Sequence, residues 1–456
     1  MSKVKKISCL VLAAALVLGL AACGGAPTAP APAPATPAAP GQPEPAPTPP
    51  AEVVHLVFWD ENADPTRSPI LQEMVRSFNA SQDRIVVEYV GLPQADAMDR
   101  YNVALAAGEP PDIGGLQENW LSGFIIRDAI IPLDEFFNDW SDRDNMLPSA
   151  IESVRGNAPD GQLYMIPTSV NTPTIWVRSD LFRDAGLPIP QTWDQFFDGV
   201  IGLTDRAQNR YGHTIRGGSG GAQSFFQTIY AYSGAPVFDE NGVSTLNSPE
   251  HVAFAERYFG LFGIYTPESD ITAGWTEIAA NFGAGISATL IHNLGSYQMH
   301  VDNFGDHSMF EAIPKPAART GNYNMSSASI GYMIFRNTNH PEEAWEFVSF
   351  MLAAENNSTW NRAIGQIPTN MQVMQEAWVG EMQHINTMMD ALAAPTTTSM
   401  GIPIYLPDFA TIASRDAEPA IQRVMAGQMT AQELLDMWAD ALTAAKADYE
   451  TNVLGR

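Results

Sequence analysis

Two short segments of this chain carry residues with the chemistry to hold, or to cut, a polyhydroxylated molecule. They are Trp59-Asp60-Glu61 and Gln117-Glu118-Asn119-Trp120. Carboxylates and amides offer planar donors and acceptors, and indoles offer flat apolar faces. Sugars need both, since they present hydroxyl rims and C–H faces. A second chemistry is open to the same residues. Two carboxylates flanking a glycosidic bond, about 5 to 9 Å apart, would hydrolyse it, and Asp60 with Glu118 is the candidate pair. Other enzyme signatures are missing: the chain has no His-Glu-x-x-His, no Gly-x-Ser-x-Gly and no Cys-x-x-Cys. His292, His300 and His307 fit no zinc spacing, so neither metal nor cofactor is expected. The run Gly217-Gly218-Ser219-Gly220-Gly221 lacks the Gly-Lys-Ser/Thr ending of a phosphate loop and has no lysine nearby, and it reads as a turn before the helix carrying Phe225.

The elements that must position these residues follow from periodicity. Val53 to Trp59 is an apolar, β-rich run expected to be a buried strand. Ile70, Leu71, Met74, Val75 and Phe78 repeat at helical spacing after Ser68-Pro69. Arg84 to Val90 is a second strand, Gln94 to Ala107 a second helix, and Asp112 to Leu116 a third strand. This β-α-β-α-β order predicts a parallel sheet whose ligands bind beyond the carboxyl ends of the strands. Trp59 to Glu61 and Gln117 to Trp120 occupy those ends. Further along, Thr168 to Pro173 is polar and turn-prone, and Thr174 to Arg178 is a strand. Thr192…Gln195 and Thr430…Glu433 have capping-box spacing. Several candidates have a plainer role open to them: Trp59 as core, Asp60 and Glu61 as turn residues, Glu118 as a helix N-terminal charge. Phe225 and Phe226 are adjacent, so one of them should point inward.

The amino terminus fixes topology. Lys3, Lys5 and Lys6 precede an apolar run, Ile7 to Leu20, that closes on Leu20-Ala21-Ala22-Cys23. A basic head, an apolar middle and small residues before a cysteine form a lipoprotein signal peptide over residues 1–22, with Cys23 the lipidated first residue. The run is shorter than the roughly 20 residues a membrane span needs. Cys9 leaves with the leader, so the mature chain has one cysteine and no internal disulfide. Residues 23–52 are an Ala/Pro-rich linker expected to be extended polyproline II, a semi-rigid stalk. About 400 residues follow, more than one hydrophobic core normally organises, so two lobes are expected. No second long apolar run follows, and the body is expected to be soluble. The formal charge of −27 becomes −30 once the leader's three lysines are removed. So acidic a surface argues against nucleic acid and against docking on anionic lipid headgroups.

Five stretches, in order, resemble the solute-binding proteins of ABC importers, in the carbohydrate-type group that includes maltose-binding protein. They are Ala104 to Ile113 (ALAAGEPPDI), Gly161 to Asp180 (GQLYMIPTSVNTPTIWVRSD), Leu181 to Phe196 (LFRDAGLPIPQTWDQF), Ile278 to Leu290 (IAANFGAGISATL), and Ala344 to Asn370 with its Gly365-Gln366-Ile367-Pro368-Thr369. No one stretch is specific; the ordered set behind a lipobox is. The resemblance implies an α/β, two-lobed, type II periplasmic-binding-protein fold with a ligand cleft between lobes joined by a hinge. It implies an N-terminal lobe of 53–168 and 316–366 and a C-terminal lobe of 169–315 and 367–456. Crossings are expected near Pro167 to Asn171, Ile313 to Pro316 and Gln366 to Pro368. It further implies no enzymatic activity. The chain is expected to be a monomeric receptor that closes on a mono- or oligosaccharide and delivers it to permease subunits. The lipid on Cys23 would hold it on the extracytoplasmic face of the cell membrane, and the long stalk leans toward a Gram-positive surface. The ligand contacts carried over are Asp60, Glu61, Glu118, Asn119, Asn171, Phe225, Asn293, Tyr297 and Tyr405, and Trp275, which precedes a helix and has no helical partner pattern, is expected to line the cleft with them. Asn171 stands where maltose-binding protein has an acidic sugar contact, and Tyr297 substitutes for its stacking Trp. A polyamine, peptide or phosphodiester receptor and a surface glycoside hydrolase are the alternatives. The phosphorylated ligand is the least favoured, because the candidate loops contain few arginines.

Overall fold

The computed structural model describes residues 53–61 and 63–455. The leader, Cys23 and the linker lie outside the described residues. Eleven strands are present among the described residues: β1 Val54–Asp60, β2 Ile85–Gly91, β3 Ile113–Gln117, β4 Ile166–Asn171, β5 Pro173–Val177, β6 Thr289–Asn293, β7 Glu311–Ile313, β8 Tyr323–Met325, β9 Ala328–Ile334, β10 Ile367–Pro368 and β11 Thr397–Ser399.

Six strands form one sheet in the order β10-β4-β9-β3-β1-β2. The expected parallel pairing holds for β1 with β2 and with β3. Beyond β3 the sheet turns antiparallel, since β9 runs against both β3 and β4. Helices α1 (Ser68–Ser81) and α2 (Gln94–Ala107) connect the parallel strands, with Pro69 in the first turn of α1. Leu71, Met74, Val75 and Phe78 are buried, as their spacing predicts. α2 stops at Gly108, which takes the left-handed φ of 75° that a side chain disfavours. A first core runs from Leu56 to Ile166 and resumes from Tyr332 to Ile364.

A second sheet, β6-β5-β7, is antiparallel. Around it lie a large core rich in aromatics (Phe196, Phe226, Phe254, Trp438) and a smaller one built on Trp176, Phe282 and Leu290. The Thr192…Gln195 and Thr430…Glu433 capping boxes are both formed. Among the described residues no helix is long and apolar enough to cross a membrane.

Two expectations are corrected. The polar segment Thr168 to Asn171 is not a turn but most of β4. Its hydroxyls are buried and bonded: Thr168 Oγ1 donates to the Ile330 carbonyl at 3.1 Å. The adjoining Thr172 Oγ1 donates to the Ser326 carbonyl at 3.0 Å. The return crossing also lies later than the 315/316 division. Tyr323–Met325 pairs with β11, and Arg319 N donates to the Tyr232 carbonyl, so the chain stays on the second lobe through Met325 and joins the six-stranded sheet at Ala328.

Candidate ligand-binding site

Between the two sheets lies a cavity of about 850 Å³. Its walls come from β3 and the turn after it, the ends of β4 and β6, the start of β9, the helix Gly221–Ser233 and the helix Trp275–Gly283. Asn119 Nδ2 donates to Gln223 Oε1 at 2.8 Å across it. Arg67 Nη2 donates to the Gly295 carbonyl at 3.3 Å and Ser122 Oγ to the Tyr405 carbonyl at 2.5 Å, with Gly295, Ser122 and Tyr405 outside its lining.

Five expected residues line this cavity: Glu118, Asn119, Asn171, Trp275 and Asn293. Glu118 lines the wall with its carboxylate already occupied. It accepts from Ser153 Oγ at 2.6 Å, Asn157 Nδ2 at 2.8 Å and the Ser329 backbone N–H at 2.5 Å. Burial pushes its pKa up against the pull of those donors. It ties the start of β9 to the helix Pro148–Gly156 and its cap at Asn157.

The other five lie elsewhere. Asp60 and Glu61 sit at the carboxyl end of β1, where the chain stays bonded to β2: Leu92 N donates to the Asp60 carbonyl and Ala63 N to that of Leu92. Asp60 accepts from Tyr89 Oη at 2.7 Å. The Glu61 carboxylate packs over Gly115, where a Cβ would stand 2.0 Å from Oε2, and burial beside Asp60 pushes its pKa up to about 8. The Asp60–Glu118 pair needed for glycoside hydrolysis therefore does not flank the cavity. Phe225 and Phe226 both point inward, because their helix is packed on two sides. Phe225 lies 4.5 Å from Phe259 and Phe226 lies 5.6 Å from Trp438, between ring centroids. Tyr297 stacks on His384 at 3.8 Å and bonds His307 Nδ1 at 3.0 Å. Tyr405 packs on Tyr449 and the Lys446 ammonium.

The cavity gains residues that the strand-end rule does not reach: Arg67, Arg216, Gln223, His292 and Gln366. Arg67 stands 5.2 Å over the Trp275 ring, and Trp275 lies nearly parallel to His292, 5.8 Å away. Burial, helped by Arg216, His300 and Arg67, pushes the His292 imidazole well below its usual pKa, so it is neutral. Among the described residues His292 Nδ1, Asn171 Oδ1 and both polar atoms of Gln366 are buried without a protein partner. Leaving such groups unpaired costs about 1–3 kcal/mol each, so convergent groups of this kind point to a ligand. Two had a signal in the sequence: His292 in the histidine trio and Gln366 in the third crossing. Arg216, just before the glycine run, had none.

Known proteins share this architecture. A structure from Agrobacterium radiobacter, an ABC transporter solute-binding protein in complex with ribitol, superposes with a TM-score of 0.76 at 18% identity, covering 87% of this chain and 99% of that one. Another, an ABC transporter solute-binding protein from Thermotoga lettingae bound with α-D-tagatose, gives 0.75 at 18% identity over 86% of this chain and 100% of that one. The sn-glycerol-3-phosphate-binding periplasmic protein of Pectobacterium atrosepticum is 24% identical over 73% of this chain and 78% of its own length. The two-lobed type II fold is thereby shared. The family profile of bacterial extracellular solute-binding proteins matches residues 62–358, and the chain belongs to that family.

Proposed function

We propose that this chain captures a carbohydrate or polyol by closing its lobes and passes it to an ABC importer permease. The observation that carries this reading is a set of buried atoms on cavity-lining residues that, among the described residues, have no protein partner: Asn171 Oδ1, His292 Nδ1 and both polar atoms of Gln366. Amides and a neutral imidazole pair with hydroxyls without demanding a charge, and an indole suits a C–H face. The solved relatives named above hold ribitol and tagatose, which is consistent with it. Hinge motion would occur where the chain crosses, at 171–173, 326–328 and 365–367. A lipid on Cys23 would keep the receptor at the extracytoplasmic face of the membrane, on a Gram-positive surface, as a monomer.

Thermal unfolding against sugars, polyols and polyamines tests the reading. A ligand at 100 times its dissociation constant adds about 2.7 kcal/mol to the native state. A shift with a sugar or polyol, and no product released on incubation, is the expected result. Stabilisation by polyamines alone would replace it with a cation receptor.

A further inference from the structure

Four arginines line the cleft: Arg67, Arg127, Arg216 and Arg415. Two are committed at the rim. Arg127 donates to the Gly123 carbonyl and Asn102 Oδ1, and Arg415 pairs with Asp99 at 3.5 Å. The other two stand around Trp275 and His292. Arg67 is partly neutralised by Asp64, with Nε 3.5 Å from Oδ2. Arg216 donates Nε to the Ser219 carbonyl, and among the described residues no carboxylate reaches its guanidinium within the 4.0 Å of an ion pair. Gly220 leaves room for that guanidinium, since a Cβ there would lie 2.2 Å from Nη2.

Acids do stand near Arg216, namely Glu418 and Glu277, but each is turned to a helix amino terminus. Glu418 Oε1 accepts from the Gly220 N–H at 2.6 Å, and Glu277 Oε2 accepts from the Gly274 N–H at 3.0 Å. Burial outweighs both and lowers the Arg216 pKa to about 10. A half-buried cation without a close counter-charge carries a desolvation cost unless something else supplies one. The Gln366 amide points the same way. Its Nε2 and Arg67 Nη2 converge on one point, the place of a Cβ on Gly295, at 2.6 and 2.8 Å. Donors from two elements meet there.

We propose that the inner end of the cleft holds the anionic group, carboxylate or phosphate ester, of a polyhydroxylated ligand. Arg216, Arg67 and the Gln366 amide receive the anion, and Asn171 and His292 face the hydroxyls. This rests on the carbohydrate or polyol reading of the cleft and narrows it to acidic members of that class. It reverses the expectation from the candidate loops, where arginines were scarce, because Arg67 and Arg216 reach the cavity from segments outside those loops.

Calorimetric titration of the full-length chain with matched pairs tests it: glucose against glucuronate, and glucose against glucose 6-phosphate. One anion of the two is expected to bind about 100-fold more tightly than glucose, the scale on which a desolvated charge pair acts. Preference for glucuronate assigns a carboxylate, preference for the phosphate an ester. Arg216→Gln should abolish the difference, and Arg216→Lys should keep part of it. If the Gln variant does not fold, the pairs measured on the native chain decide alone. Glucose binding as tightly as both anions overturns the inference and leaves the sugar reading standing. Binding of spermidine but of no sugar, acid or phosphate overturns both.

Discussion

Replacing Glu61 by Gln should make this protein's stability less dependent on pH, by an amount that follows from the burial of that carboxyl. Glu61 is 3% exposed and abuts Asp60, and its pKa stands at about 8 against 4.5 for the unfolded chain. Between those values the native state binds a proton that the unfolded state has released. The derivative of unfolding free energy with pH is then negative for this group, so native stability falls as pH rises toward 8. One proton corresponds to about 1.4 kcal/mol per pH unit. From pH 5 to pH 8 the loss at this site comes to about 4 kcal/mol, an upper figure. Gln is close to the protonated acid in shape and does not titrate. The difference in unfolding free energy between E61Q and the wild type should therefore widen with rising pH. Other buried groups titrate in the window, Asp270 raised to about 7 and Lys315 lowered to about 7, and they cancel in the difference. Urea denaturation of both proteins at pH 5, 6, 7 and 8 provides the measurement. Parallel stability curves would refute the reasoning, because they would mean that Glu61 ionises in the native state as it does in the unfolded one. Ligand affinity should not change, since Glu61 lies outside the cleft.

Three further outcomes are expected. Trp275→Ala removes the indole under Arg67 and should lower affinity for whichever sugar or polyol binds by about 10- to 100-fold, read by calorimetry; unchanged affinity would remove Trp275 from the site. Gly220→Ala must place a Cβ at a φ of 80° and 2.2 Å from Arg216 Nη2. It should cost about 1–3 kcal/mol in urea denaturation and weaken any anion preference. Cys23→Ser should move the protein from the membrane fraction to the medium, as detected by immunoblotting; retention in the membrane would refute the lipid anchor.

Where one strand's own composition decided its fate, the fold could be read in advance. Val54 to Trp59 is apolar enough to be a strand in any context, and Leu71, Met74, Val75 and Phe78 mark a helix face. The strand-end rule leads to Glu118 and Asn119, and the chain after β3 does line the cavity. Asp60 and Glu61 follow a strand end as well, but the pairing of Asp60 with Gly91 and the Leu92 N–H on the Asp60 carbonyl keep that end bound to β2. β4 was hidden for a different reason. Thr168, Ser169 and Thr172 look like turn residues until their partners, Ile330 and Ser326, arrive from far along the chain. The same holds for the inner cleft. Arg67 meets the Gly295 carbonyl across 228 residues of sequence, and no local pattern announces such a meeting.

β4 ends at Asn171 and β5 begins at Pro173, so Thr172 alone joins the two sheets on the outward passage. A connector one residue long has almost no slack. Proline fixes one of the few nearby torsions, and the Thr172 hydroxyl is pinned to Ser326 on the returning chain. Under the proposed lobe closure, bending would be confined to a handful of dihedrals, and each sheet would act as a stiff lever about that short axle. Small angular changes at Thr172 would be magnified at the exposed pair of Arg415 and Asp99. Lengthening the axle by a glycine or two would leave both levers intact while loosening their gearing, and the two lobes would then wander independently instead of swinging together.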